Sequence, residues 1–167
     1  MNGSAPRFLV DVNVGRLAKW LRALGYDALF VRDIDDNALV RLALREGRVL
    51  LTRDTHILKR RVVTSGRLKA LLIEEDSVWD QLRQVVAALS LESADRAFTR
   101  CIECNQPLEP RRPAEVHGLV PPYVYQTQQD YAQCPSCRRI YWQGTHWENM
   151  RRELKRIRPG YLQSAEG

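Results

Sequence analysis

The sequence predicts an α/β fold in which a parallel sheet flanked by helices is followed by a small module built on four cysteines. Three observations lead to this prediction. Short apolar runs alternate with helical patterns four times in the first ninety residues, an acidic residue follows each run, and all four cysteines lie in the rest of the chain. Because such alternation is typical of parallel sheets, we expect a first unit at residues 1–93 and a second unit at residues 94–167.

The four expected strands are short continuous apolar runs, as in a parallel sheet covered on both faces. They are residues 8–10, 28–31, 49–51 and 70–73. Helical spacing between and after these runs predicts helices over residues 14–24, from Asp35 or Asp36 to Gly47, from the third strand to about residue 61, and over 78–89. Gly25 and Gly47 are expected to end the first two helices. In the second unit, prolines predict loops and short strands, and residues 147–157 are expected to form a final helix.

Charge and hydropathy narrow the classes of partner. The 167-residue chain has a formal net charge of +6 and a pI of about 9.4, which favours an anionic partner. No apolar stretch reaches the roughly 18 residues that a membrane span needs, and the N-terminus has no apolar signal core. We therefore expect no membrane segment and a cytoplasmic protein. The sequence has no glycine-rich phosphate loop, which argues against ATP or dinucleotide binding.

The cysteines form two Cys-x-x-Cys pairs with metal-ligand spacing. Cys101 and Cys104 are separated from Cys134 and Cys137 by 29 residues, and each pair can reach one tetrahedral ion. Thiolates select zinc over Mg²⁺ or Ca²⁺, although iron fits the same spacing. Disulfides are not favoured in a reducing compartment. A closed four-cysteine site leaves no open position for water, so the predicted Zn²⁺ is structural.

Acidic residues follow all four strands, and in a parallel sheet they meet at one edge. Asp11, Asp33, Asp54 and Asp76 come directly after or near the successive apolar runs. Clustered carboxylates are typical of sites for hard cations such as Mg²⁺ or Mn²⁺, which activate water for phosphodiester hydrolysis. The alternative is that each aspartate caps a helix. That role is expected for Asp76, while spacing alone does not separate Asp33 from Asp35 and Asp36.

Basic and aromatic side chains suggest contacts with nucleic acid. Arg16, Lys19 and Arg22 share a face of the first helix, and Arg53 lies near the end of the third strand; such cations could contact phosphate, or could simply be solvated. In the second unit, six residues after the second cysteine pair, His146 among them, combine cations with aromatic rings. Such a combination suits stacking on unpaired bases and contact with phosphate. The group is Arg138, Arg139, Tyr141, Trp142, His146 and Trp147. The alternative is that these rings pack the second unit onto the first.

Several segments together resemble the Mut-seven C-terminal RNase domain family, in which a PIN-like nuclease domain precedes a zinc ribbon. The resemblance rests on Phe8–Asp11, Gly15–Asp27, Asp36 with the helix after it, Arg48–Asp54, the two cysteine pairs, and Arg139–Trp147. It covers residues 7–157. Arg16, Lys19, Arg53 and His146 are then the candidate substrate-binding residues.

The resemblance implies a metal-dependent ribonuclease. Asp11, Asp36 and Asp54 match the acidic positions of the family, which favours Asp36 over Asp33. Asp33 and Asp35 stay possible additional acids. Related domains often carry a further acid where this chain has His56, so a fourth acidic ligand and the number of catalytic metals stay open. The expected partner is RNA, in single-stranded form, together with a ribonucleoprotein partner. The alternative hypothesis is a non-catalytic module that binds RNA or a ribonucleoprotein and has a degenerate PIN-like site.

Overall fold

The computed structural model describes residues 4–91 and 96–157, and the expected boundary at residues 93 and 94 lies outside them. The first unit is a four-stranded parallel sheet with the order β2-β1-β3-β4. Its strands are β1 (Phe8–Val10), β2 (Ala28–Phe30), β3 (Val49–Thr52) and β4 (Ala70–Leu72). The predicted α/β class is confirmed, and each strand agrees with its expected run to within one residue.

The helices of the first unit follow the predicted order. A short 3₁₀ helix (Val12–Val14) precedes α1 (Arg16–Ala23), and α2 (Asp36–Glu46), α3 (Thr55–Leu58), α4 (Arg61–Thr64) and α5 (Val78–Ala88) follow along the chain. The single helix expected after the third strand is in fact two, because Arg60 adopts an extended backbone between them. None of the described helices is long and apolar enough to cross a membrane.

Two apolar clusters fill the space on either side of the sheet. Alternate strand residues face opposite sides, so Phe8 and Val10 pack with α1 and α5, whereas Leu9 and Leu50 pack against α2 and α3. The central strands β1 and β3 are buried along their whole length. The strands therefore read as continuous apolar runs because both of their faces are covered.

The second unit is a three-stranded antiparallel sheet with its own small core. Its strands are β5 (Glu109–Arg111), β6 (Tyr131–Gln133) and β7 (Ile140–Trp142), in that order, with helices α6 (Pro113–Val116), α7 (Pro122–Thr127) and α8 (Thr145–Ile157). Val116, Val124 and Tyr131 form the core, and Trp142 packs against it. Leu154 of α8 instead lies in the core of the first unit, so the two units share apolar packing.

A close approach at Gly25 joins the two units. Gly25 has a φ of 90°, and a Cβ atom there would lie 1.8 Å from the carbonyl oxygen of Arg96. Next to it, the Phe98 N–H donates to the Ala23 carbonyl at 2.8 Å. Glycine thus both ends α1, as predicted, and allows the chain that enters the second unit to pass against it.

Candidate functional site

The strand order places three acid-bearing loops side by side. Asp11 directly follows β1, Asp54 lies in the loop after β3, and Asp36 begins α2 at the end of the loop after β2. The strands β2, β1 and β3 are consecutive neighbours in the sheet. Neighbouring strands lie roughly 4.8 Å apart. The chain passes from β1 to β2 on one side and then crosses to β3 on the other side of β1. The topological switch point therefore lies between β1 and β3. Open α/β sheets bind ligands outside the carboxyl ends of strands at such a point.

A buried threonine links the two acids at the switch point. The Thr52 hydroxyl donates to Oδ2 of Asp11 at 2.6 Å and accepts from the backbone N–H of Asp54 at 3.0 Å. Thr52 is fully buried and Asp11 is 8% exposed. The other Asp11 oxygen accepts from the Val12 N–H at 2.8 Å. Sequence reasoning missed this role of Thr52, although a polar residue ending a fully apolar strand was a visible signal.

The expected capping roles of the aspartates are largely present. Asp11 caps the 3₁₀ helix, Asp35 accepts from the Ala38 N–H at 2.9 Å, and Asp54 accepts from the His56 N–H at 2.8 Å. The prediction that Asp76 caps the last helix is wrong. Ser77 is the cap of α5, because it is the residue whose backbone is extended at the start of that helix. Asp76 instead pairs with Arg53 at 3.0 Å.

The acids at this edge differ in exposure. Asp33 and Asp36 are exposed, and Asp54 is half-buried. Among residues 4–91 and 96–157, the four cysteines are the only group of three or more His, Cys, Asp or Glu placed so that they could hold one metal ion. The edge is thus a row of separated carboxylates around the buried Asp11.

The predicted basic residues fall into separate places. Arg53 lies at the acidic edge, where it donates to the Glu75 carbonyl at 2.8 Å as well as to Asp76. Arg16 is exposed at the start of α1. Lys19 and His146 line one groove between the units. Arg22 does not belong to an exposed basic face, since it donates to the carbonyls of Ala28 and Ile102.

The four cysteines converge as predicted and form a cluster that could bind zinc. Their ligand atoms lie within 4.8 Å of one another, and the Cys101 and Cys137 sulfurs are 3.8 Å apart. Two ligands of a tetrahedral ion with metal–sulfur bonds of about 2.3 Å lie about 3.8 Å apart. The observed separation therefore fits a Zn²⁺ site.

Two matching turns shape the cysteine cluster. The Asn105 N–H donates to the Cys101 carbonyl, and the Arg138 N–H donates to the Cys134 carbonyl, both at 3.0 Å. Asn105 and Arg138 both have left-handed backbone, with φ of 65° and 67°. The second cysteine of each pair also donates its N–H to the first sulfur. The spacing of each pair thus folds into the same knuckle turn.

The cluster strongly perturbs its own titrating groups. A hydrogen bond from the Arg139 backbone lowers the pKa of Cys137 to about 7. The hydrogen bond with Cys137 raises the pKa of Cys104 to about 12. Burial, together with a hydrogen bond to Cys101 at 3.1 Å, raises the pKa of Tyr141. Tyr141 therefore supports a cysteine of the cluster, a contact that the sequence did not reveal.

The first knuckle also binds the first unit. The Asn105 side chain accepts from the Ala28 N–H at 2.9 Å and donates to Asp27 at 2.6 Å. Burial acts to raise the pKa of Asp27, but the hydrogen bonds from Arg48 and Asn105 outweigh it and lower that pKa below its ordinary value. Arg48 itself pairs with Asp27 at 2.8 Å. The cysteine cluster is therefore tied directly to the edge strand β2.

The aromatic residues of the second unit serve mainly in packing. Trp147 packs against Phe98 with ring centroids 4.9 Å apart and ring planes inclined by 46°. The Arg151 guanidinium lies over the Trp147 ring. Trp142 packs within the second unit and Tyr141 reaches Cys101. Trp147 reaches the first unit indirectly, through Phe98, which packs against the core of that unit. The expectation that these rings join the units is supported by that indirect contact alone.

Comparison with known proteins supports the resemblance seen in the sequence. No curated protein and no solved structure matches the chain. The sequence pattern of the Mut7-C RNAse domain matches residues 6–154. This match spans the sheet with its acidic edge, the cysteine cluster and most of α8. The chain therefore belongs to the Mut7-C RNAse domain family.

Proposed function

We propose that this protein is a metal-dependent ribonuclease that hydrolyses RNA phosphodiester bonds at the carboxyl edge of the four-stranded sheet. Asp11, Asp36 and Asp54 are the proposed catalytic acids. Membership of a family named for RNase activity supports the class of reaction. The structural observation that carries the proposal is the environment of Asp11.

Asp11 is a buried carboxylate that lacks a cationic partner within the described ranges. Burying an unpaired charge costs several kcal/mol unless it is compensated. Val12 and Thr52 each donate one hydrogen bond to it, and an ionised carboxylate can accept about four. Asp11 thus has remaining acceptor capacity toward the edge of the sheet, which suits a ligand of a divalent cation.

The separated acids are compatible with Mg²⁺ or Mn²⁺. Mg²⁺ usually keeps several waters and is held by one or two carboxylates together with substrate phosphate. Such an ion would activate water and stabilise the charge that develops on the phosphodiester. In this proposal Asp11 is the central ligand, Asp54 and Asp36 flank it, and Thr52 orients the Asp11 carboxylate. Asp36 is chosen over Asp35 because it matches an acidic position of the family.

The cysteine cluster has a structural role in this proposal. Zn²⁺ held by Cys101, Cys104, Cys134 and Cys137 would have no open coordination position, so it would stabilise the fold of the second unit and take no part in cleavage. Thiols that must stay reduced to bind zinc favour the cytoplasm. Single-stranded RNA and a ribonucleoprotein partner are the proposed interactions.

A second candidate function is RNA binding without cleavage. One observation favours it: Asp11 and Asp54 each cap the helix that follows, and capping alone is a sufficient reason for an aspartate at these positions. The two functions differ in whether metal-dependent cleavage depends on Asp11.

The test compares cleavage of a labelled single-stranded RNA by the wild type and by Asp11→Asn, in Mg²⁺, in Mn²⁺ and without added divalent metal. We expect wild-type cleavage to require the metal and the variant to be slower by roughly 100-fold or more, since a metal ion supplies several kcal/mol of stabilisation. Asp80→Asn is the matched control, because Asp80 lies on α5 and its carboxylate bonds only Ser77 and Arg83 among the residues that the structure describes. Equal cleavage by Asp11→Asn and wild type would refute the assignment.

A further inference from the structure

A groove between the two units is large enough for an extended ligand. Its volume is about 1350 Å³, and it is bordered by α1, α7, β7 and the start of α8. Small-molecule pockets typically measure about 300–1,000 Å³. The size of the groove therefore favours a segment of a polymer over a small metabolite.

The groove contains an aromatic ring that the fold does not use. Tyr123 is 69% exposed, and its side chain has no hydrogen-bond or ring partner within residues 4–91 and 96–157. This distinguishes it from Trp147 and Tyr141 in the same groove, which are held by Phe98 and Cys101. His146 is also exposed and lines the groove. Tyr123 and His146 are thus available for stacking.

Two cations in the groove are free to bind phosphate. Lys19 and Arg139 are exposed, and neither forms an ion pair in the part of the chain that the structure describes. Arg100 and Arg151 line the groove as well, and so do the acids Glu103, Asp130 and Glu148. The four cations therefore outnumber the three acids by only one. Electrostatic attraction alone would be weak, and stacking has to supply much of the affinity. That combination suits unpaired bases, whose faces are accessible, better than a duplex.

The groove is connected to the proposed catalytic edge along α1. Lys19 comes about one helical turn after Arg16, a rise of about 4.5 Å along α1, and α1 begins just beyond Asp11 at the carboxyl edge of the sheet. An RNA strand that lies in the groove can therefore continue past Arg16 toward the proposed catalytic acids.

We infer that the groove between the units binds single-stranded RNA, with Tyr123 as a stacking platform and Lys19 and Arg139 as phosphate contacts. The choice of RNA rests on the proposed function, while the location rests on the groove itself. RNA is preferred over a protein partner because the exposed ring of Tyr123 suits a base and the cations Lys19 and Arg139 suit phosphate.

The test measures binding of a fluorescein-labelled, unstructured RNA of twenty nucleotides by anisotropy, with the full zinc-loaded chain carrying Asp11→Asn so that the RNA stays intact. On this background, Tyr123→Ala should bind roughly 5- to 150-fold more weakly, and Tyr123→Phe should retain the affinity because it keeps the ring. Lys19→Ala should lower the slope of log affinity against log salt by about 0.7, the value for one phosphate contact on a single strand. A hairpin duplex should compete poorly.

Arg41→Ala is the matched charge control, because Arg41 is exposed on α2, on the opposite face of the sheet from α1. It should leave the affinity unchanged. The inference is overturned if Tyr123→Ala and Lys19→Ala bind RNA as tightly as the Asp11→Asn chain that carries no further change. It is also overturned if that Asp11→Asn chain binds neither the single-stranded RNA nor the hairpin, and a protein ligand then becomes the candidate.

Cleavage assays separate a failure of this inference from a failure of the proposed function. Groove-dependent binding with no metal-dependent cleavage by the wild type would uphold the groove and refute the nuclease. Cleavage that requires Asp11, with kcat and KM unaffected by Tyr123→Ala, would uphold the nuclease and refute the groove.

Discussion

At the scale of single residues, Thr52 is what distinguishes Asp11 from the other acids of the edge. Its hydroxyl connects the side chain of Asp11 to the backbone of Asp54 across two neighbouring strands. Because Thr52 is fully buried, this hydroxyl has little freedom to turn elsewhere. Groups that hydrogen-bond a ligating carboxylate fix its orientation and affect metal affinity. Thr52 is therefore a positioning residue in the proposed site.

Replacing Thr52 by valine tests this role, since valine keeps the shape and removes the hydroxyl. We expect Thr52→Val to weaken metal-dependent cleavage by roughly 10- to 100-fold and to raise the Mg²⁺ concentration needed for half-maximal rate. A cost to stability of about 1–3 kcal/mol should accompany it, because the Asp54 N–H loses its partner. Thr55→Val is the control, because Thr55 is exposed three residues later. An unchanged metal requirement would mean that Thr52 contributes only to stability.

Asp35 and Asp36 provide a matched pair for the third acid. Asp35 caps α2, whereas the neighbouring Asp36 is exposed and has no bonded partner in the described residues. We therefore expect Asp36→Asn to reduce cleavage without affecting thermal unfolding. Asp35→Ala should instead lower the free energy of unfolding by about 0.5–2 kcal/mol and leave cleavage nearly intact. Cleavage and unfolding are measured on the same preparations. If Asp35→Ala reduces cleavage and Asp36→Asn does not, Asp35 is the third acid.

At the scale of elements, the first knuckle protects the open edge of the sheet. β2 is an edge strand, and edge strands leave backbone N–H groups unpaired. Asn105 accepts from one such group at Ala28, and Arg22 donates to carbonyls on both sides of the contact. Burial lowers the pKa of Arg22. A cysteine module thus completes the hydrogen bonding of a strand in a different unit.

The two knuckles allow this contact to be tested with an internal control. Asn105 and Arg138 occupy equivalent left-handed positions, where glycine is well tolerated, but only Asn105 reaches the first unit. We expect Asn105→Gly to lower the free energy of unfolding by about 1–3 kcal/mol, because the Ala28 N–H and Asp27 lose a partner. Arg138→Gly should be close to neutral in the same denaturant titration. Equal effects of the two changes would mean that the docking contact contributes little.

The elements could be predicted from sequence where local pattern determines them. Buried strands such as β1 appear as continuous apolar runs, and the Cys-x-x-Cys spacing defines the knuckles. Contacts between distant segments left no such signal. Arg22 has the spacing of an exposed basic face, yet it is turned inward by carbonyls that lie eighty residues along the chain. Asp76 comes shortly before α5, but its carboxylate forms an ion pair with Arg53 from another loop. The acidic row was predictable, whereas its link through Thr52 depends on the pairing of β1 with β3.

At the scale of the whole molecule, three contacts join the two units. Leu154 of α8 completes the apolar core beside α5. The backbone of Arg96 passes against Gly25, and Asn105 binds β2. The groove proposed to bind RNA lies between these contacts, so its shape depends on how the second unit is docked. The fold of the cysteine module is therefore coupled to the groove and to the packing of the first unit.

Loss of zinc tests that coupling. Small modules built on cysteines depend on their metal for folding, so Cys101→Ser should lower the zinc content and expose residues 101–141 to proteolysis. Because Asn105 and Arg22 join this segment to β2, we also expect a lower Tm for the first unit. It can be followed by the fluorescence of Trp20 and Trp79, which pack against each other between α1 and α5, in a background where Trp142 and Trp147 are replaced by phenylalanine. Ser136→Ala, a change between two ligands at an exposed position, should keep one zinc per chain and the wild-type Tm. A variant that loses zinc and the protection of residues 101–141 while the first unit melts as before would show that the units are stable independently. Full zinc content in Cys101→Ser would instead refute the four-cysteine site.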